Sequence, residues 1–402
     1  MQSDFFIKNR ARLIEKLKGG LCVLSAFNLM QLSNDGSASF EQESNFWWLT
    51  GIDYPNWQLM IDGTTGKSCL ICPDIDPISE IFDGGLSADE ARLLSGVDKV
   101  ISTDEADILL RNLAKKHSLV YSLKEHPQSA NFNFVRNPAI KNCTEKLERI
   151  FNNVMDCRND LAVLRSIKQV EEIKNIKKAI STTIKGFDSI KKDLSEFRYE
   201  YEVEAEFTYL FRRLGLSGHA YQPIIACGRN ACTLHYVKNN SRLKKHQLIL
   251  IDVGARYNNY SADISRTYSI DTPTKRQIAV HNEVEEAQLR IIKLLKPGLL
   301  ISEYSSTVDE IMKDALMKLG LMSNRDDLSN YQKYFPHAIS HGLGIDTHDS
   351  LGAPKYFEQG MIITVEPGIY IPDESIGVRI EDDILITAKG HENMSSKLST
   401  SL

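Results

Sequence analysis

Five titratable side chains stand inside short apolar runs of the C-terminal half. They are Asp252 in LILIDVGARY, Asp263 in YSADISRTYSI, His341 in ISHGLGIDTHD, Glu366 in MIITVEPGIYI and Glu381 in GVRIEDDILIT. Runs of this kind read as strands or strand edges. A charge buried in one must be paired, hydrogen-bonded or bound to a metal. Any fold of this chain therefore either gathers these groups or finds each a separate partner. Gathering the four ionised carboxylates costs on the order of 3–4 kcal/mol per pair, at about 4–5 Å and an effective dielectric near 20. Two divalent cations cancel that charge and leave the histidine neutral. An oxygen-rich donor set favours hard ions such as manganese. Two such ions activate water and polarise a carbonyl, so a hydrolase is the first functional expectation.

Asp252 and Asp263 flank Tyr257-Asn258-Asn259-Tyr260. Asparagine tolerates the positive φ of tight hairpin turns, which makes Asn258-Asn259 the turn centre. Asp252 then faces Ser265 and Asp263 faces Gly254, so the two aspartates are diagonal neighbours on one face. Their Cβ atoms would lie roughly 7–8 Å apart, close enough to reach two metals about 3.5–4 Å apart. Salt bridges within the hairpin are the alternative, and the pair alone does not decide. Glu366 ends MIITV, where Pro367-Gly368 stops the strand. Alternation puts Glu381 and Asp383 on one face and Asp382 on the other, with a buried arginine as the competing partner for Glu381. His337 and His341 have the spacing of a zinc-binding helix, but Ala338 stands where such a helix needs glutamate. Pro336, Gly342 and Gly344 also disfavour a helix there.

The 402 residues suit two or three domains, or one large domain with an appendage. A helical pattern over 4–19 precedes strand-like LCVLSAF, NFWWLTGI, WQLMID and SCLICP. Helical patterns near 88–95 and 104–116 alternate with short apolar runs, giving a mixed α/β domain. From Asn159 to about Leu214 the chain is helix-rich, with Leu161, Leu164, Ile167, Val170, Ile173, Ile176 and Ile180 at helical steps. Further helices are expected near 276–296 and 302–319, and strand-like sequence from there to the end. A net charge of −5 gives no reason to expect nucleic-acid or membrane binding. The apolar run Leu21 to Met30 is too short to span a bilayer. Seven scattered cysteines form no disulfide framework, so a reducing cytoplasm is expected. Cys69-Leu-Ile-Cys72 lacks the second pair of a zinc knuckle and reads as buried thiols.

Asp252-Val-Gly254, Asp263-Ile-Ser-Arg266, Ser340 to Asp349, Thr364 to Tyr370 and Gly377 to Asp383 together resemble the pita-bread metallopeptidases. That family includes aminopeptidase P, prolidase, methionine aminopeptidase and creatinase. Gln42-Glu-Ser-Asn-Phe-Trp-Trp-Leu-Thr-Gly51 resembles the N-terminal domain of aminopeptidase P and prolidase. Methionine aminopeptidase lacks that domain, and creatinase uses no metal. The resemblance implies an α+β fold, with an aminopeptidase P-type α/β domain over 1–158 and a pita-bread catalytic domain over 159–402. It implies that Asp252 binds one ion and His341 the other, that Asp263 and Glu381 bridge them, and that Glu366 both ligates and moves a proton. His235, in TLHYV, would stand near the scissile nitrogen, and His348 would steady the oxyanion. His337 would line the pocket, with Tyr370 and Arg379 on its proline side. On their own, His235 reads as an ordinary strand histidine and Arg379 as a partner of Glu381.

The implied activity is that of an Xaa-Pro aminopeptidase, cleaving between an N-terminal residue and a penultimate proline. Two divalent ions are implied, manganese first, with cobalt or zinc as alternatives. Prolidase, acting on Xaa-Pro dipeptides, is the alternative activity. A non-catalytic pita-bread module is a further one, which the retention of all five ligand positions argues against. Proline-containing peptides are the expected partners and a homodimer the expected assembly. Cys227 and Cys232 lie in IIACGRNACTLHY, where the family carries small residues. Cys227 is expected to pack rather than to face the site.

Overall fold

The alternation of short apolar runs with helical repeats builds two compact units in the computed structural model, Met1–Leu164 and Arg165–Leu402. Residues 1–74, 76–125 and 134–402 are described.

The first unit is organised on a six-stranded sheet. Its order is Lys99–Ile101, Lys67–Ile71, Gln58–Asp62, Leu21–Ser25, Leu119–Ser122 and Asn153–Asp156. The three central strands pair antiparallel and the outer ones add in parallel. Leu21, Val23, Met60 and Ile71 pack with Ala106 and Leu110 of helix Thr103–Leu113 and with Cys143 and Leu147 of helix Ala139–Glu148. Ser102 and Glu105 form a reciprocal capping box that starts the first of these helices.

The segment NFWWLTGI, expected as a strand, is instead helix Ser44–Thr50. Glu43 caps it by accepting from Phe46 N at 2.7 Å, and Gly51 ends it at φ 71°. All its residues are buried, so there is no solvent face to imprint a helical period. An all-round apolar run of bulky residues then looks like a buried strand. The helix lies on helix Ser3–Lys16. Asn9 donates to Trp48 O at 2.9 Å, Arg10 donates to Leu49 O at 2.7 Å, and the Phe6 and Trp47 rings meet edge-on.

In the second unit, helices Val170–Asp193, Glu200–Arg213, Lys275–Ile292 and Ile301–Lys318 surround paired strands. One sheet joins Ile224–Cys227, Leu248–Asp252 and Ser265–Ser269; another joins Ile362–Val365, Asp382–Ile386 and His391–Asn393. Strands Gly368–Ile371 and Ile376–Arg379 form a hairpin. The two halves are stitched together at their strand ends. Glu381 N donates to Ser265 O at 3.0 Å, Arg379 N to Thr267 Oγ1 at 3.2 Å and Asp263 N to Asp383 Oδ2 at 3.2 Å. Val280, Val284 and Ile291 with Val308, Met312 and Leu316 bury the other face of these strands.

Ser265 pairs with Asp252, as the Asn258-Asn259 turn requires, and both asparagines have positive φ, at 48° and 64°. The hairpin divides into two ladders at Gly254, where a Cβ would run into the Ala262 carbonyl. Past residue 319 the structure departs from the strand-like expectation. Helix Leu328–Tyr334 is followed by a long irregular stretch before Ile362. The His341 segment is a loop, tied by bridges from Gly342 to Asp349 and to Ile363. Pro336, Gly342 and Gly344 deny it regular structure. Buried Asp349 anchors it instead, at 3.0 Å from both Arg165 Nη2 and Lys168 Nζ.

Candidate active site

Each group at the site is delivered by the end of a strand or by the loop beside it. Asp252 ends strand Leu248–Asp252, and Asp263 precedes its partner Ser265–Ser269. Glu366 follows Ile362–Val365, and Glu381 stands in the break between Ile376–Arg379 and Asp382–Ile386. These positions combine the rigidity of a ladder with carboxylate oxygens that stand outside the backbone pairing. Donor atoms of Asp252, Asp263 and Glu381 lie within 4.8 Å of one another, as do those of His341, Glu366 and Glu381 and those of Asp263, His341 and His348. The structure thus brings the five sequence-derived ligand candidates into one cluster and adds His348 to its edge.

The histidine is oriented by its other nitrogen. Nδ1 of His341 lies 2.9 Å from Gly342 O, which leaves Nε2 facing Asp263 Oδ2 at 3.4 Å and Glu366 Oε1 at 3.5 Å. A chain of hydrogen bonds supports the carboxylates from behind. Ser265 Oγ donates to Glu381 Oε2 at 2.8 Å and accepts from Arg379 Nε at 3.0 Å. Arg379 Nη2 donates to Asp252 Oδ2 at 2.5 Å and Nη1 to the Tyr370 hydroxyl at 2.8 Å, which in turn lies 2.9 Å from His337 Nε2. Arg379 therefore pairs directly with Asp252 and reaches Glu381 through the shared Ser265 hydroxyl. Asp382, on the opposite strand face, goes to Arg266 at 2.7 Å.

This donor set fits divalent cations. Asp252, Asp263 and Glu381 are 8%, 5% and 2% exposed. Burial pushes the carboxyls of Asp252 and Glu381 above the usual carboxylate range, and neighbouring acids add to it. Glu366 is pushed up to about 7, by burial first and then by Asp263, against the opposing charge of His341. His341 reaches about 9: burial alone would lower it, and Asp263 and Glu366 outweigh burial. Crowded carboxyls that hold their protons are what bound cations would relieve.

His235 differs from its strand reading. It is exposed on a turn after the short helix Gly228–Cys232. It lies within electrostatic range of both His337 and His348. The His348 ring is exposed and stacks obliquely on His341, with centroids 4.2 Å apart. Cys227 is buried, with Sγ 3.1 Å from Gln247 Oε1, and burial raises its thiol to about 11. A mostly apolar cavity of about 250 Å³ borders His337 and His341, with Tyr304, Val308 and Phe335 in its wall.

Sequence reasoning missed Tyr221. Its hydroxyl lies 2.5 Å from Asp252 Oδ1 and 2.6 Å from Asp263 Oδ1. A phenol has one proton to donate, so Tyr221 ties the two carboxylates together by sharing that proton between them. The segment GHAYQP around Tyr221 carries no metal-site pattern that could have announced it. We expect Tyr221→Phe to fold normally and to bind divalent cations about 10–100-fold more weakly, as loss of a ligand-orienting partner does. Chelator-competition titration measures this, and an affinity within about twofold of wild type would refute the role.

Residues 174–388 match metallopeptidase family M24, and residues 6–121 match the aminopeptidase P N-terminal domain. The Xaa-Pro aminopeptidase of Haemophilus influenzae is 30% identical over 98% of this chain and 95% of its own length. That of Escherichia coli is 30% identical over 98% of this chain and 94% of its own. Aminopeptidase P from E. coli with the inhibitor Pro-Leu superposes with a TM-score of 0.87 at 30% identity, covering 100% of this chain and 96% of that one. Proline aminopeptidase P II from Yersinia pestis superposes at 0.86 and 30% identity, covering 100% and 97%. A cluster of four carboxylates and a histidine at strand ends, on a fold shared over the full length with these enzymes, identifies the chain as a member of metallopeptidase family M24, with an aminopeptidase P-type N-terminal domain ahead of its pita-bread domain.

Proposed function

We propose that this protein is an Xaa-Pro aminopeptidase, a metal-dependent hydrolase of the bond between an N-terminal residue and a penultimate proline. The observation that carries the reading is the convergence of Asp252, Asp263, His341, Glu366 and Glu381 beside the chain of His337, Tyr370 and Arg379. The relatives matched over nearly the whole chain are Xaa-Pro aminopeptidases, which does not favour prolidase.

In this reading the five ligands hold two divalent ions, manganese first. Such ions supply a water nucleophile near neutral pH and polarise the scissile carbonyl. The remaining work falls to side chains. An Xaa-Pro bond has no N–H, so its nitrogen must gain a proton as it leaves. Glu366 takes a proton from the attacking water and hands it to that nitrogen, a task open to a carboxylate within hydrogen-bond reach of both. His348 donates a hydrogen bond to the carbonyl oxygen as charge builds there. His235 stands by the scissile nitrogen, while His337, Tyr370 and Arg379 hold the proline side. Residues 1–158 serve as the N-terminal domain and 159–402 as the catalytic one. The same reading carries a cytoplasmic location, supported by seven free thiols, and a homodimeric assembly. Among the described residues no helix is long and apolar enough to cross a membrane.

The test is manganese-reconstituted protein offered an Xaa-Pro dipeptide and an Xaa-Pro-Xaa tripeptide. We expect release of the N-terminal residue from the tripeptide. Cleavage of the dipeptide alone would replace the aminopeptidase reading with prolidase.

A further inference from the structure

His235 is exposed on a turn, and a turn does not hold a side chain in place by itself. Misplacing a reacting group by about 1 Å can cost on the order of 10²-fold in rate. What fixes this turn is a buried acid outside the metal cluster. Glu200 is the first residue of helix Glu200–Arg213 and is 0% exposed. Its Oε1 accepts from Cys227 N at 2.8 Å and from Asn230 Nδ2 at 2.9 Å. Its Oε2 accepts from the Tyr236 hydroxyl and from Ser241 N, both at 2.8 Å. Its own N–H donates to Ser241 O at 3.0 Å. A carboxylate stripped of water needs such a set of donors, and the helix N-terminus adds to it.

The donors come from both sides of His235, and one is its immediate neighbour, Tyr236. Buried Asn239 closes the far side of the segment. It donates to Glu204 Oε2 at 2.8 Å and to Pro223 O at 2.9 Å, and accepts from Ile225 N at 3.0 Å. We propose that Glu200 is the positioning residue for His235: it gathers the 227–241 segment onto one carboxylate and thereby fixes the turn that presents the imidazole. This rests on the role given to His235 in the Xaa-Pro reading.

Glu200→Gln keeps the shape but turns one acceptor oxygen into a donor, which then faces two of the existing donors. Tyr236→Phe removes a single donor and is the milder variant. Two readouts are taken. One is kcat on an Xaa-Pro-Xaa tripeptide, in the wild-type and His235→Ala backgrounds. The other is the ring NMR resonance of His235 in histidine-labelled, zinc-loaded protein without substrate, assigned by its disappearance in His235→Ala. We expect Glu200→Gln to lower kcat about tenfold or more in the wild-type background and by less than about twofold in the His235→Ala background, since coupled positions are not additive. We expect both variants to move and sharpen the His235 resonance. Equal losses in the two backgrounds, or a His235 resonance unmoved in both variants, would overturn the proposal. Should Glu200→Gln fail to fold, Tyr236→Phe carries the same cycle and the same resonance. Absence of tripeptide cleavage by wild type would count against the Xaa-Pro reading alone, because the resonance is read without any peptide.

Discussion

Replacing Glu366 by glutamine is expected to lower kcat about 10³-fold while the protein stays folded, within the 10²–10⁴ range that general acid–base catalysis contributes. The substitution preserves volume at a position whose backbone is held independently of its side chain: Glu366 N donates to Ile339 O at 3.0 Å. Its carboxylate takes a long contact from Thr364 Oγ1, at 3.4 Å, and faces His341 and His337. The loss should therefore fall on kcat more than on KM. Steady-state kinetics at saturating manganese measure it, with metal content determined in parallel. Wild-type turnover would refute the proton role. A rate that recovers fully once the metal sites are refilled would reduce Glu366 to a ligand alone.

The second large effect is the pH dependence of stability in the absence of metal. Folding raises Glu366 from 4.5 to about 7, chiefly through burial. An acid raised by folding favours the folded state while protonated. That contribution is complete below about 4.5 and lost as pH climbs through 7. His341 is raised from 6.5 to about 9 by Asp263 and Glu366, against burial. Its contribution is complete below 6.5 and lost as pH climbs through 9. Asp252 and Glu381 are raised by burial as well and act in the same sense as Glu366. Burial lowers His219 and His337 to about 4, and these act in the opposite sense below 6.5. The metal-free protein should thus lose stability steadily from pH 6.5 to 8.5, by several kcal/mol at about 1.4 kcal/mol per unit of pKa change. Cations that replace the protons reverse the trend, so the gain in Tm on adding manganese should be larger at pH 8 than at pH 6.5. Thermal unfolding with chelator and with manganese, across that range, measures both. A chelated Tm that is flat or rises with pH would sink this account.

The parts of the site that were legible in the sequence are those that local rules govern. Asn258-Asn259 sets the hairpin turn, and the pairing of Asp252 with Ser265 follows by counting. Strict alternation sends Asp382 to Arg266 while Glu381 and Asp383 turn toward Asp263. What was not legible depends on chains meeting far apart in sequence. Tyr221 reaches Asp252 across 31 residues and Asp263 across 42. Arg379 meets Asp252 across 127, while its adjacency to Glu381 along the chain pointed only to the partner it reaches through Ser265. The His341 loop owes its shape to Asp349, Arg165 and Lys168 rather than to any backbone pattern. Glu200 reads in sequence as one more acid at the start of a helix, and only the fold brings four donors to it.

Helix Ser44–Thr50 has seven residues, well below the roughly 12–15 at which an isolated helix becomes even marginal in water. It persists because Asn9 and Arg10 bind the carbonyls of Trp48 and Leu49, and because both tryptophans are sealed from solvent. Its amide protons should therefore exchange with deuterium at a rate set by the opening of this packing, including that of the first helix, Ser3–Lys16. That ties the exchange rate of one short element to the opening free energy of the packing around it.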